Sequence, residues 1–91
     1  MPSQKPRTPP ALRPSTRSRP RHLVVAARAL GERLRALRGA RGWSRRETAA
    51  RIGVGVAHVR RLESGGGNPT LALLLAIARA FDVSLRRLLD H

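Results

Sequence analysis

The 91-residue chain has no cysteine and no tyrosine, and only one each of tryptophan, phenylalanine, methionine and lysine. Without cysteine there is no disulfide framework and no thiolate metal site. The three histidines, His22, His58 and His91, have neither metal-ligand spacing nor a nearby carboxylate pair, so no metal and no cofactor is expected. Acids are scarce as well: five Asp and Glu stand against nineteen Lys and Arg. There is no carboxylate pair for acid–base work and no phosphate-gripping loop tied to a strand, so no catalytic constellation is present and an enzyme is not expected. No apolar run approaches the length needed to cross a bilayer, which excludes a spanning helix. The amino-terminal prolines disrupt the amphipathic helix that an import signal requires, so the expected location is the cytoplasm.

What is present is positive charge. The net charge is +14 and arginine carries eighteen of the nineteen positive charges, Lys5 being the other. Such an excess favours a polyanionic partner, because each neutralised phosphate releases condensed counterions. The planar fork of arginine suits phosphate and guanine better than a point charge does. A GC-rich coding bias accounts for arginine over lysine but not for the shortage of acids.

Composition divides the chain in two. Residues 1–22 hold six of the seven prolines and no acid. With little to bury, this segment cannot offset its ordering entropy and is expected to be a disordered basic arm. It reads either as an arm tracking DNA or as a solvated leader. From residue 23 to 91 the pattern is helical. Val24, Ala27, Leu30, Leu34 and Leu37 recur at three- and four-residue steps, predicting a first helix that stops between Gly39 and Gly42. Ser44 with Glu47 makes a capping box for a second helix, which Gly53 ends after Ile52. A third helix is expected over about 55–63, before the run SGGGNP breaks the chain. Thr70 caps a fourth, LALLLAIARAF, and Ser84 a short fifth, LRRLLD. No segment alternates with period two, so the domain reads as all-α with five helices.

Taking Arg45 as the first place of a helix–turn–helix over about 45–64, Ala49 falls at the fifth, Gly53 at the ninth and Val59 at the fifteenth. Ala49 is small where two helices cross, Gly53 supplies the positive φ of the turn, and Val59 anchors the second helix in the core. Together with LGERLRALRGARGWS, ETAARIGV, VRRLESG, NPTL and IARAFDVSLRRLL, this order and spacing resembles the Cro/cI-type (XRE) helix–turn–helix domains. The resemblance covers about residues 28–90. It implies a five-helix, lambda-repressor-like bundle in which the third helix enters the major groove of double-stranded DNA and the second lies across the backbone.

At about 100° per residue, Val59, Leu62 and Glu63 cluster on one side of the third helix and Ala57 and Arg61 lie opposite. Val56 and Arg60 flank that outward face on one side and His58 on the other. Arg61 can form a bidentate pair with guanine, while Val56 and Ala57 can only pack on a thymine methyl. The resemblance implies that Val56, Ala57 and Arg61 face the bases. Arg45 and Arg46 open the second helix, where the macrodipole disfavours cations by ~0.3–1 kcal/mol each; an incoming phosphate reverses that sign. In the family the Arg45 place is usually a glutamine touching the DNA backbone. Arg45, Arg46, Arg60 and His58 are therefore the expected phosphate contacts, with a plain solvated surface as the alternative for Arg60, Arg61 and His58. The resemblance also pairs Glu63 with an arginine late in the first helix, here Arg38, as a structural bridge.

Several places depart from the family pattern. Thr48 stands for a core leucine, Gly55 for a Ser or Thr cap, and SGGGN for a loop that often carries basic residues. Flexible glycine amides are the only replacement there for phosphate contacts. Trp43 is expected in the core or as a staple before the second helix. On the fourth helix Leu71, Leu74, Ile77, Ala78 and Phe81 form the expected core stripe, and Ala72, Leu73 and Ala76 an apolar surplus suited to a dimer or partner face. No helix follows the fifth, so dimerisation is expected through helices four and five, only on DNA, or with a partner. The reading is a sequence-specific DNA-binding transcriptional regulator, a repressor by preference, nucleoid-associated and reading few letters. The alternative is an adaptor, coactivator or antitoxin that uses the same fold on a protein partner.

Overall fold

A computed structural model describes residues 20–90 and contains five helices and no strand among them: α1 (Arg21–Arg41), α2 (Arg45–Ile52), α3 (Val56–Glu63), α4 (Leu71–Phe81) and α5 (Leu85–Leu89). The basic arm read over 1–22 lies outside the described residues except at its end. There it is corrected: Arg21 and His22 are already helical, and Pro20 is the N-cap, its carbonyl accepting from the Leu23 and Val24 amides. A proline before the first turn withholds no hydrogen bond the helix needs, so α1 propagates back to it.

The helix ends follow local chemistry. Ser44, Thr70 and Ser84 each accept a backbone N–H from three residues on, at Glu47, Leu73 and Arg87, which satisfies one orphan donor per helix. Only half of the capping box forms. The Glu47 carboxylate turns to Arg51 at 2.9 Å instead of reaching back to the Ser44 amide. Gly55 caps α3 with no side-chain bond. The turn between α2 and α3 depends on Gly53, whose φ of 95° places the Gly53 and Val54 amides on the Ala49 carbonyl.

The core draws on every helix: Leu30 and Leu34 of α1, Ala49 and Ile52 of α2, Val59 and Leu62 of α3, Ile77, Ala78 and Phe81 of α4, and Leu88 of α5. Each large side chain buried here contributes ~1.5–3 kcal/mol. Thr48 is fully buried, and its hydroxyl donates to the Ser44 carbonyl at 2.9 Å, so its one polar side-chain atom is satisfied. Trp43 stacks on Phe81 with ring centroids 4.9 Å apart, while the Arg51 guanidinium lies 4.2 Å from the centroid of its ring. That clamps the α1–α2 turn onto α4.

On α4 the expected stripe is in place at Leu74, Ile77, Ala78 and Phe81 and fails at Leu71. Leu71 is 64% exposed and not core, because a helical side chain covers the turn N-terminal to its own Cα, and at the first helical position that turn is the loop. Leu73 and Ala76, expected on the surface, pack against the core. The reason is that α4 is covered from two directions, by α2 and by α5. The apolar residues left outside on α4 and α5 are Leu71, Leu75 and Leu89, beside Ala72.

Gly31, in the middle of α1, carries no signal in the sequence. A Cβ there would meet the Leu62 carbonyl oxygen, and the Glu63 carbonyl oxygen at 2.8 Å. The α1 and α3 backbones cross at that point with no room for a methyl group.

Candidate nucleic-acid interface

The outward face of α3 is built by its inward one. Val59 and Leu62 are buried and Glu63 is 6% exposed, which fixes the helix rotation and leaves Ala57, His58, Arg60 and Arg61 in solvent. Val56 is half-buried against the core and shows only part of its side chain. The guanidinium groups of Arg46, Arg60 and Arg61 make no ion pair or hydrogen bond with another described residue. Arg60 and Arg61 sit in the last turn of α3, where the helix dipole favours cations.

Arg61 is held at its stem, over which the glycine run closes. A Cβ on Gly66 would lie 3.1 Å from the Arg61 Cγ, and one on Gly67 3.5 Å from its Cδ. That run is not the set of flexible amides expected from the sequence. Gly65 has a φ of 82° and packs on Arg28, and the Gly65 and Gly66 amides donate to the Leu62 and Arg61 carbonyls. These bonds close α3 in a Schellman cap, so the two amides are used within the protein and not offered to phosphate.

The Arg38–Glu63 pair is present and larger than expected. Arg38 donates from Nε to Glu63 Oε2 at 2.6 Å and from a terminal nitrogen to Oε1 at 3.3 Å. Its other terminal nitrogen donates to the Trp43 carbonyl at 3.1 Å. Two further arginines converge on the same carboxylate. Arg45 Nε donates to Oε1 at 2.9 Å, and Arg35 Nε stands 3.8 Å away. Burial pushes the Glu63 carboxyl up, but hydrogen bonds from Arg38 and Arg45, together with their charges, outweigh it and hold the group below its ordinary value. The sequence signal for Arg35 is its place one turn before Arg38 on α1. For Arg45 there is none, since α2 and α3 are brought together only by the turn.

Arg45 therefore faces two ways. Its Nε points inward to a carboxylate that is 1% exposed, while its own side chain is 41% exposed. Arg46 beside it is exposed, and His58 and Arg60 lie along the neighbouring helix. The exposed residues expected to face DNA thus lie at the start of α2 and on the outside of α3, two helices that pack against each other. Among the described residues no group of three or more His, Cys, Asp or Glu could hold a metal ion, and no helix is long and apolar enough to cross a membrane.

Two short helices joined at a positive-φ glycine, the second presenting its outer face beside the start of the first, define a helix–turn–helix. Residues 34–88 match the helix-turn-helix family model HTH_3, and the chain belongs to that family, in its Cro/cI-type form. An uncharacterized HTH-type transcriptional regulator of Sinorhizobium fredii, y4dL, is 39% identical over 54 residues, covering 59% of this chain and 28% of the relative. The chain thus spans little more than a quarter of that relative. Among solved structures it resembles the restriction-modification controller protein C.AhdI of Aeromonas hydrophila, with a TM-score of 0.67 and 34% identity over 70% of this chain and 97% of the other. The clp gene regulator ClgR of Corynebacterium glutamicum is similar with a TM-score of 0.67 and 30% identity, covering 70% of this chain and 68% of the other.

Proposed function

We propose that the protein is a non-enzymatic, sequence-specific DNA-binding transcriptional regulator, acting as a repressor, that inserts α3 into the major groove and lays the start of α2 against the backbone. The observation that carries this reading is the solvent-facing side of α3, with Ala57 and Arg61 opposite the buried Val59 and Leu62, in a chain of net charge +14. Arg61 reads guanine, Ala57 and the exposed part of Val56 pack on thymine methyls, and Arg45, Arg46, Arg60 and His58 contact phosphates. Two copies bind adjacent half-sites about one helical turn apart and meet through α4 and α5, where Leu71, Leu75 and Leu89 are exposed. The protein acts in the cytoplasm, at the nucleoid.

Selection from a random-sequence duplex pool, with binding measured across a salt series, tests this. A defined motif should emerge and affinity should fall steeply with salt. Arg61→Ala should relax specificity at one position per half-site, costing ~1–3 kcal/mol of discrimination. Arg45→Ala should weaken all sites alike and lower the salt slope by about one. Recovery of no motif would instead favour a protein-binding adaptor.

A further inference from the structure

Glu63 is the one buried acid among the described residues, and three arginines, Arg35, Arg38 and Arg45, stand around its carboxylate. A carboxylate that served only to hold the bundle together would be satisfied by Arg38, which reaches both of its oxygens. Instead, Oε1 also accepts from Arg45 Nε at 2.9 Å, across from α3 to the first residue of α2. The geometry divides one guanidinium between two tasks. Its Nε is fixed by an anion that solvent barely reaches, and its terminal nitrogens make no hydrogen bond with any other described residue. A guanidinium has five donors in a planar fork, so gripping one edge orients the rest.

We propose that Glu63 is a positioning residue for DNA binding: it holds Arg45 by Nε so that the terminal nitrogens of Arg45 face the phosphate backbone in a fixed orientation. The inference rests on the DNA-binding reading above. A held arginine does not lose its rotamer freedom a second time on binding, whereas a solvated one does. Arg35, 3.8 Å from the same carboxylate and 62% exposed, keeps the local charge positive. One carboxylate facing three arginines leaves a net excess of two positive charges for the backbone.

The test has an unusual sign. Glu63→Gln removes a negative charge from a DNA-binding surface, and by long-range electrostatics alone it should tighten binding to DNA. Positioning demands the reverse. With folding checked by circular dichroism, Glu63→Gln should bind a random-sequence duplex at low salt roughly fivefold to tenfold more weakly than the parent, the range expected for one hydrogen bond at a partly exposed site. The loss should be the same on every sequence. In an Arg45→Ala background the same substitution should cause no loss. Equal or tighter binding by Glu63→Gln, or an undiminished loss without Arg45, overturns the proposal.

Should Glu63→Gln fail to fold, Arg45→Lys decides. Lysine keeps the charge but has a single charged nitrogen, which Glu63 captures, so affinity should fall nearly as far as in Arg45→Ala. Retention of most of the parent affinity overturns the proposal. An unaltered chain with no salt-dependent affinity for duplex DNA would remove the DNA-binding reading, and the positioning role with it; binding by that chain combined with indifference to Glu63 removes only the latter.

Discussion

Glu63 shows how one side chain joins stability to charge. Its carboxyl is held below the ordinary value by Arg38 and Arg45 against the opposing effect of burial. A depressed carboxyl contributes stability that is present above its unfolded value, about 4.3 for glutamate, and that is lost as pH falls through the lower folded value. The stability gap between the parent and Glu63→Gln should therefore be constant above about pH 5 and shrink below about pH 4. Denaturant melts across that range measure it, and a gap that widens in acid contradicts the assignment. At neutral pH, Glu63→Ala should cost about 3 kcal/mol, the low end for breaking a buried pair, because Arg45 and Arg35 can rehydrate while Arg38, at 18% exposure, cannot do so fully.

At the scale of elements, the position of α3 is set from two sides. The Gly53 turn fixes its angle to α2, and the contact at Gly31 fixes its distance from α1. Gly31→Ala improves helix propensity by ~1 kcal/mol in isolation, yet it should destabilise the domain by about 1–3 kcal/mol, since backbone atoms and not a pliable side chain oppose the methyl group. Thermal unfolding decides the sign. A rise in Tm would mean that α1 and α3 can separate freely, and the Arg38–Glu63 distance would not be fixed by the fold. The glycine run after α3 belongs to the same element. Its cap holds Arg28 on one side and the stem of Arg61 on the other, so a segment that reads as a break in the sequence is part of how α3 ends.

At the scale of the molecule, the exposed leucines of α4 and α5 lie on helices other than the two that carry the arginine surface. If Leu71, Leu75 and Leu89 join two copies on DNA, Leu75→Ser should leave the folded monomer intact, since Leu75 is 44% exposed. It should also abolish cooperative occupation of paired half-sites while single half-site binding persists. Titration of a duplex carrying one or two half-sites separates these outcomes. Unchanged cooperativity would place the dimer contact elsewhere.

Local chemistry makes much of this legible along the chain. Period and caps specify five helices, the rotation of α3 and the boundary at Gly53, because hydrophobic spacing and side-chain capping act within a few residues. Arg38 and Glu63 pair through the family pattern, not through any local rule. Where elements meet is another matter. Leu71 and Leu73 are both leucines near one helix start, and the packing of α4 against α2 and α5 brings Leu73, partly buried, to the core while Leu71 at the first helical position stays outside. Arg45 can be placed at a helix start but not on Glu63, eighteen residues away, since that contact exists only after the turn closes. Gly31 looks like a blemish in a helix until a second backbone is laid against it. Amino-acid order thus suffices for which segments are helical, which faces are apolar and the preference for an anionic partner, all of them local or additive properties. Which arginines are held is a property of the folded chain, because a buried carboxylate takes its partners by proximity in space.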